Sequence, residues 1–296
     1  MDPAIKIRGL SKHFGKNKAL AGLDLDVPRG SIFALLGDNG AGKTTTIRML
    51  SGLLRPDKGY AAILGQDCWQ AATQLRHDVG YVPERPRFYD WMTVAEIGWF
   101  TAGFHWPRFL PRYQELTARF QLDPKAKLHN LSKGQYAKVA LALALAPDPE
   151  VLILDEPTSG LDLLTRRQFL SSMVDLASDG RTILISSHQI AEVERIASHV
   201  AFLAHGRLLL AAPMDELRQR IVRLRLRYAA LPPDASSLGT VLQRNGSGKC
   251  WQVVLQDPDP DAVAALRTAE GIHDFEEAPL GLEEVYCALL AGEEAT

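Results

Sequence analysis

The apolar positions fall into short runs of strand length separated by stretches of helical period. Residues 32–36 (Ile-Phe-Ala-Leu-Leu) and 151–154 (Val-Leu-Ile-Leu) are uninterrupted apolar runs, the pattern of strands buried on both faces of a parallel sheet. Residues 5–7 and 23–27 alternate instead, as half-buried strands do. Further strands are predicted at 60–64, 79–82 and 182–185. Residues 200–203 and 208–211 flank His205-Gly206 as a small hairpin. Helices are predicted at 45–54, 163–177 and 190–197. Between residues 93 and 122 the character is helical: Thr93 and Glu96 have the spacing of a capping box, Pro107 and Pro111 interrupt, and residues 112–120 restart. Another helix runs from Ser132 to residue 146. After Pro213 the pattern shifts to a short helix at 214–220, alternating strands at 222–228, 239–243 and 250–255, and helices at 262–269 and 282–290.

The loop after the first apolar run carries the most information. Gly37-Asp38-Asn39-Gly40-Ala41-Gly42-Lys43-Thr44-Thr45 fits G-x-x-x-x-G-K-[ST] and stands between a predicted strand and a predicted helix, the setting of a phosphate-binding loop. Its glycines let successive N–H groups point inward, and the helix adds its positive end. Lys43 then reaches the β- and γ-phosphates, and Thr44 places its hydroxyl on Mg²⁺. Alternating strands and helices around such a loop predict an α/β P-loop core, with a mainly parallel sheet, an antiparallel β subdomain and a helical insert. The domain boundaries expected are 1–213, with the insert at about 85–147, and a small α+β accessory domain at 214–296.

Other motifs gain meaning from their order. Asp155-Glu156 ends the second apolar run, and a carboxylate at the end of such a strand lies beside the phosphate loop in open α/β sheets. Asp155 is expected in the Mg²⁺ shell and Glu156 facing the γ-phosphate, polarising the attacking water. The turn Pro157–Asp162 can be read simply as a helix cap, and Ser132 with Gln135 as a helix start. His188 follows another apolar strand, where a structural histidine is the commoner reading. Gly246-Ser247-Gly248-Lys249 imitates part of a second phosphate loop, but Gln243 and Cys250 stand where Gly and Ser or Thr are required. Asn245-Gly246 predicts a hairpin turn there.

Composition narrows the classes. The chain has 296 residues, 46% hydrophobic, with a formal charge of −2, so a sizeable core is expected and binding to nucleic acid through a basic surface is not. Cys68, Cys250 and Cys287 are scattered without C-x-x-C spacing, which points to neither zinc nor disulfides and fits a reducing cytosol. No apolar run approaches the ~18 residues of a membrane span, and residues 1–9 hold no secretory h-region. Any membrane role is expected to pass through a partner.

Taken in order, these motifs resemble the nucleotide-binding subunit of an ATP-binding cassette (ABC) transporter over roughly residues 4–213. The resemblance implies an ATPase that dimerises around ATP with Mg²⁺, with a second copy as its expected partner. It also implies a separate transmembrane permease that holds the subunit at the cytoplasmic face of the cell membrane. It makes Phe14 the ring that stacks on adenine, and Ser132, Gly134 and Gln135 the signature that reaches the γ-phosphate of the opposite subunit. Asp155 and Glu156 become metal-side acid and catalytic base, Asp162 part of the loop linking the two sites, and His188 the γ-phosphate sensor. Two positions depart from the family pattern. Lys133 replaces a glycine of the signature, where it could crowd the nucleotide, add a cation or point outward; the outward position is preferred, with Gly134 keeping the close approach. Glu84 replaces the usual glutamine of the coupling loop, which with the C-terminal extension resembles the exporter branch. Phe88, Tyr89, Trp91, Trp99, Phe100, Phe104 and Trp106 make an aromatic concentration, expected to be mostly core of the insert, or else a groove for a short helix of the membrane subunit. The competing functions are a soluble cassette ATPase acting on nucleic acid or ribosomes, and a non-catalytic ATP-dependent regulatory module.

Overall fold

In the computed structural model, residues 2–105, 107–229, 234–235 and 237–294 are described; Trp106 lies outside them. In chain order the elements are β1 (Ile5–Phe14), β2 (Asn17–Val27), β3 (Ile32–Leu36), α1 (Lys43–Leu50), β4 (Lys58–Ile63), β5 (Gln66–Asp67), α2 (Ala72–Leu75), β6 (Val79–Val82), α3 (Val94–Ala102) and α4 (Phe109–Arg119). After a 3₁₀ turn at Leu128–Asn130 come α5 (Lys133–Leu145), β7 (Val151–Asp155), α6 (Leu163–Ser178), β8 (Thr182–Ser187), α7 (Ile190–Val193), β9 (His199–Ala204) and β10 (Arg207–Pro213). The remainder is α8 (Met214–Arg220), β11 (Ile221–Tyr228), β12 (Thr240–Ser247), β13 (Cys250–Gln256), α9 (Pro260–Thr268), β14 (Ile272–Pro279) and α10 (Leu282–Glu294). The chain divides into two units, Met1–Gln189 with Arg195–Ala211, and Ile190–Glu194 with Ala212–Thr296.

The first unit holds two sheets. One is antiparallel, in the order β2-β1-β4-β5; the other has the order β10-β9-β3-β8-β7-β6, with β9, β3, β8, β7 and β6 mutually parallel. A continuous core lies between them: Ile7, Leu23 and Ile63 of the antiparallel sheet meet Leu35, Ile153 and Leu203 of the parallel one, with Ile47 of α1 among them. These side chains are fully buried, each worth about 1.5–3 kcal/mol relative to exposure. The strand order matters more to function than the core does. Leu36 pairs with Ser187, Asp155 with Ser186, and Val82 with Leu154. The ends of β3, β8, β7 and β6 therefore lie side by side, and the loops that follow them open on one edge.

The insert begins as its sequence predicts. The Thr93 side chain accepts from the Glu96 N–H while Glu96 accepts from the Thr93 N–H, a complete capping box. Its second helix starts at Phe109, earlier than the predicted 112, because Pro111 sits in the first turn, where its missing N–H costs nothing. Three further boundaries differ from the sequence expectation. α1 stops at Leu50 instead of 54, since Gly52 turns left-handed at φ 66° and the exposed Leu53 leaves the helical face. The helix expected at 190–197 is the single turn Ile190–Val193. β1 and β2 are ten and eleven residues long, much longer than their alternating cores, because each pairs through its polar positions as well.

The second unit has an antiparallel sheet in the order β12-β13-β11-β14. Leu224, Trp251, Val253 and Leu255 on one face pack with Val263 and Leu266 of α9. The predicted hairpin forms, but its turn is Gly248-Lys249, since Ser247 pairs with Cys250 and Asn245 with Gln252. Gly248, at φ 61°, supplies the left-handed residue that two-residue turns need, so Asn245-Gly246 is strand. β14 was not predicted. Its sequence IHDFEEAP has no apolar alternation and a largely exposed pattern, and its strand state comes from pairing with β11.

Candidate nucleotide site

The loop between β3 and α1 is shaped by close approach. A Cβ on Gly37 would stand 2.2 Å from the Leu203 carbonyl oxygen, and one on Gly42, at φ 110°, would meet Leu20 and the Ala19 carbonyl below 3 Å. Only glycine fits at either place. Gly42 caps α1 without a side chain, so the first-turn N–H groups of the helix stay open toward the loop. The turn His205-Gly206 buttresses the loop from behind, the Gly206 N–H donating to the Ala41 carbonyl at 3.1 Å. Lys43 is nearly buried. Its ammonium donates to the carbonyls of Gly37 (2.7 Å) and Asp38 (3.1 Å) and lies 3.2 Å from Glu156 Oε1.

Asp155 and Glu156 follow β7 directly. Asp155 Oδ1 accepts from Thr44 Oγ1 at 3.1 Å and from Ser186 Oγ at 2.7 Å. Burial pushes its carboxyl above the usual carboxylate range, against the lowering effect of those two bonds. Glu156 turns away with φ 49°, a left-handed conformation costly for a residue with a side chain. Ser186 Oγ accepts its N–H at 3.0 Å and holds it there. Glu156 Oε2 lies 2.7 Å from His188 Nδ1 and accepts from the His188 N–H at 3.3 Å. Ser186 is a residue whose part in the site sequence reading does not indicate. A polar position at the end of an apolar strand is its only signal; its role depends on β8 lying between β3 and β7.

A cleft of about 670 Å³ opens over this region; Gly37, Asp155 and Ser186 are not among the residues that line it. Phe14, Asp38, Asn39, Gly40, Gly42, Lys43, Thr44, Thr45, Glu84, Glu156 and His188 of the expected site line it, joined by Ser159 of the Pro157–Asp162 turn and by Arg85 and His205, which sequence did not indicate as site residues. Phe14 is half exposed. Glu84 pairs with Arg85 at 3.5 Å. Ala41 is buried beneath the loop. Ser132, Gly134, Gln135 and Asp162 are not among the cleft's lining residues. Ser132 caps α5 in a capping box with Gln135, leaving the N–H groups of Lys133 and Gly134 without intrahelical partners. Asp162 caps α6, accepting from the N–H groups of Leu164 and Thr165 and, at 2.6 Å, from the Thr165 hydroxyl. The Thr165 hydroxyl, with these N–H groups, holds its carboxyl below the usual range.

Gly134 is buried, and a Cβ there would stand 2.5 Å from Thr165 Cγ2, so the glycine lets α5 approach α6. Lys133 is exposed, and its side chain lies beside Gly160, with Nζ 3.2 Å from where a Cβ on that residue would be. The aromatic concentration is corrected: Tyr89, Trp91, Trp99 and Phe104 are 53%, 63%, 69% and 73% exposed, so they are surface rather than core. Tyr89 and Phe100, and Phe100 and Phe104, contact edge to face with centroids 5.6 and 5.5 Å apart.

Among the described residues no group of three or more His, Cys, Asp or Glu side chains converges as a metal site. The Thr44 hydroxyl and Asp155 carboxylate form instead a small hard-oxygen set, suited to Mg²⁺ whose shell is completed by substrate phosphates. No helix among the described residues is long and apolar enough to cross a membrane.

Comparison with known proteins gives the family. Residues 20–159 match the ABC transporter family. The daunorubicin/doxorubicin resistance ATP-binding protein DrrA of Streptomyces peucetius is 32% identical, over 97% of this chain and 92% of that protein. The Nod factor export ATP-binding protein I of Ralstonia nicotianae is 32% identical over 98% and 95%. A solved ATP-binding subunit of an ABC transporter superposes with a TM-score of 0.66 at 30% identity, over 73% of this chain and 92% of that one. A phosphate loop, a paired acid and a facing histidine on adjoining strand ends, with relatives matched nearly end to end, place this chain in the ABC transporter ATP-binding family, as an ATP-hydrolysing motor subunit.

Proposed function

We propose that the chain powers export through a separate transmembrane permease, working as a homodimer at the cytoplasmic face of the cell membrane. The observation that carries the catalytic reading is the position of Glu156. One of its oxygens faces Lys43 and the other His188, beside an Asp155 already bonded to Thr44. In this reading the main-chain N–H groups of residues 38–44 and the Lys43 ammonium hold the phosphates, and Phe14 stacks on the adenine. Thr44 and Asp155 would hold Mg²⁺, which when bound would neutralise charge on the phosphates. Glu156 takes the proton of the attacking water as general base, and His188 orients that carboxylate and senses the γ-phosphate.

In this reading a second copy supplies what the cleft lacks. Ser132 and the open end of α5 stand outside it, so a second copy docked head to tail supports the reading in which they cover the γ-phosphate. Ser132, Gln135 and the Gly134 N–H make that contact in trans, and Asp162 links the two sites. Release of phosphate then loosens the pair, and opening and closing drive the partner.

The exposed aromatic band and the adjoining groove support a permease contact. That groove is about 900 Å³ and is lined by Glu84, Arg85, Phe88, Leu131 and Tyr136 among others. Glu84, shared by groove and cleft, couples them. Export is favoured by the relative named for export and by that named for drug resistance. Residues 1–213 act as the ATPase domain, with the insert at about 85–147, and 214–296 as an accessory domain.

The test is ATP-dependent association. Glu156→Gln with Mg-ATP is expected to form a stable dimer by light scattering while phosphate release falls at least about 100-fold. A variant that hydrolyses normally, or stays monomeric at every nucleotide concentration, removes the proposal.

A further inference from the structure

Phe14 ends β1 at the tip of a hairpin, half exposed and lining the cleft. A ring so placed has no core to fix it, yet a stacking surface has to be held still to be useful. The surroundings contain a device for this, centred on a residue outside the cleft.

Asp57 lies in the connection between α1 and β4. Its Oδ1 accepts from Lys12 Nζ at 2.8 Å, and its Oδ2 accepts from the His13 N–H at 2.7 Å, with His13 Nδ1 3.5 Å away. Its own N–H donates to the Ser11 carbonyl at 3.0 Å. Asp57 thus grips the three residues that precede Phe14. Two local features make the grip possible. The pairing of β1 with β2 slips in register between Lys12 and His13. Gly59, at φ 75°, sits so close to β1 that a Cβ would be 2.3 Å from the Arg8 carbonyl oxygen, which presses the connection against the strand. Lys12 is mostly covered, donates a second bond to the Arg55 carbonyl at 2.8 Å, and places its ammonium 5.9 Å from the centre of the Phe14 ring. That is within cation–π range.

We propose that Asp57 is a positioning residue for nucleotide binding: through Lys12 and His13 it fixes the Phe14 ring, and so sets affinity for the base without touching the nucleotide. The inference rests on the reading of Phe14 as the adenine platform. Charged hydrogen bonds from one carboxylate to both an ammonium and a backbone N–H are strong and directional. Losing them frees the hairpin tip while leaving the phosphate loop intact.

The test separates base from phosphate. Mg-ATP and magnesium tripolyphosphate, which carries no base, are titrated into the full chain by calorimetry, alongside steady-state kinetics. Phe14→Ala is expected to weaken ATP roughly tenfold, the scale of one lost base–aromatic stack. Asp57→Ala is expected to weaken ATP and raise its KM roughly fivefold by the same route, with tripolyphosphate affinity and kcat at saturation held within about twofold. Lys12→Gln gives a smaller loss of the same kind. The Asp57→Ala/Phe14→Ala double variant is no weaker than Phe14→Ala alone, since one residue acts through the other. Equal weakening of ATP and tripolyphosphate by Asp57→Ala, or losses that add in the double variant, would overturn the inference. So would ATP binding unchanged in Asp57→Ala when Phe14→Ala does weaken it. Unchanged ATP binding in Phe14→Ala itself would instead overturn the reading of the ring.

Discussion

His188 Nδ1 stands 2.7 Å from Glu156 Oε2, joining the loops after β8 and β7 through one side-chain contact. The same carboxylate has its other oxygen 3.2 Å from Lys43 Nζ. Glu156 is therefore held from two sides by cationic or polarisable groups that come from different strand ends. On the proposed role, His188→Ala leaves the carboxylate without its orienting partner. Hydrolysis is expected to fall about 100-fold, the low end of general acid–base contributions. ATP affinity should change far less, since the phosphate loop is untouched. Phosphate release and nucleotide titration on the same preparation check the split.

Ser186 makes a second prediction. Its hydroxyl is fully buried and joins Asp155 Oδ1 to the N–H of Glu156. Ser186→Ala leaves that N–H and one carboxylate bond unmade, at a cost of about 1–3 kcal/mol. It also loosens the left-handed backbone at Glu156. A lower denaturation midpoint together with a reduced kcat is expected. A drop in stability with kcat unchanged would confine Ser186 to a structural role.

The contact of Gly134 with Thr165 can be tested by repair. Gly134→Ala puts a methyl group 2.5 Å from Thr165 Cγ2, an overpacking expected to cost about 1–3 kcal/mol. Thr165→Ser removes that methyl and keeps the hydroxyl that donates to Asp162. The double variant should regain most of the lost stability in a urea melt. Failure of the serine to rescue would show that the glycine is needed for something other than helix packing.

A pH dependence is expected in the second unit. The Arg220 guanidinium, bonded to Asp257 at 2.8 and 3.3 Å, holds that carboxyl below the usual range. A carboxylate whose folded pKa is depressed contributes stability above its unfolded value, near 3.9, and loses it as the pH falls through the folded value. The pair is largely exposed on the aspartate side, so its worth is below about 1 kcal/mol. Asp257→Asn should raise hydrogen exchange at β11 and β13 at pH 7. The difference from the parent should begin to shrink as the pH falls below about 4 and vanish only lower still, once the depressed carboxyl of the folded parent is protonated.

Much of the site was legible because its parts are local. The phosphate loop is one contiguous stretch whose glycines, lysine and threonine act within a single turn. Thr93 with Glu96 and Ser132 with Gln135 are capping pairs three residues apart, and both form. Asp155 and Glu156 announce themselves at the end of an apolar run. Where sequence failed, the cause was a neighbour remote in the chain. The aromatic rings read as core because composition cannot say which face of a helix is covered. β14 looks like loop until β11 supplies its hydrogen bonds. That Gly134 is pressed against Thr165 of α6 depends on a residue thirty-one positions away.

The amino-acid order alone determined the α/β class, the phosphate loop and the chemical types assembled around it, since these rest on periodicity and on short-range geometry. Only the tertiary structure decided that Ser186 would tie Asp155 to Glu156, that His188 would meet Glu156, and that Asp57 would hold the residues before Phe14. Each of those contacts needs β8 inserted between β3 and β7, or β4 laid against β1. Strand order is set by the packing of the whole core, which no single segment encodes.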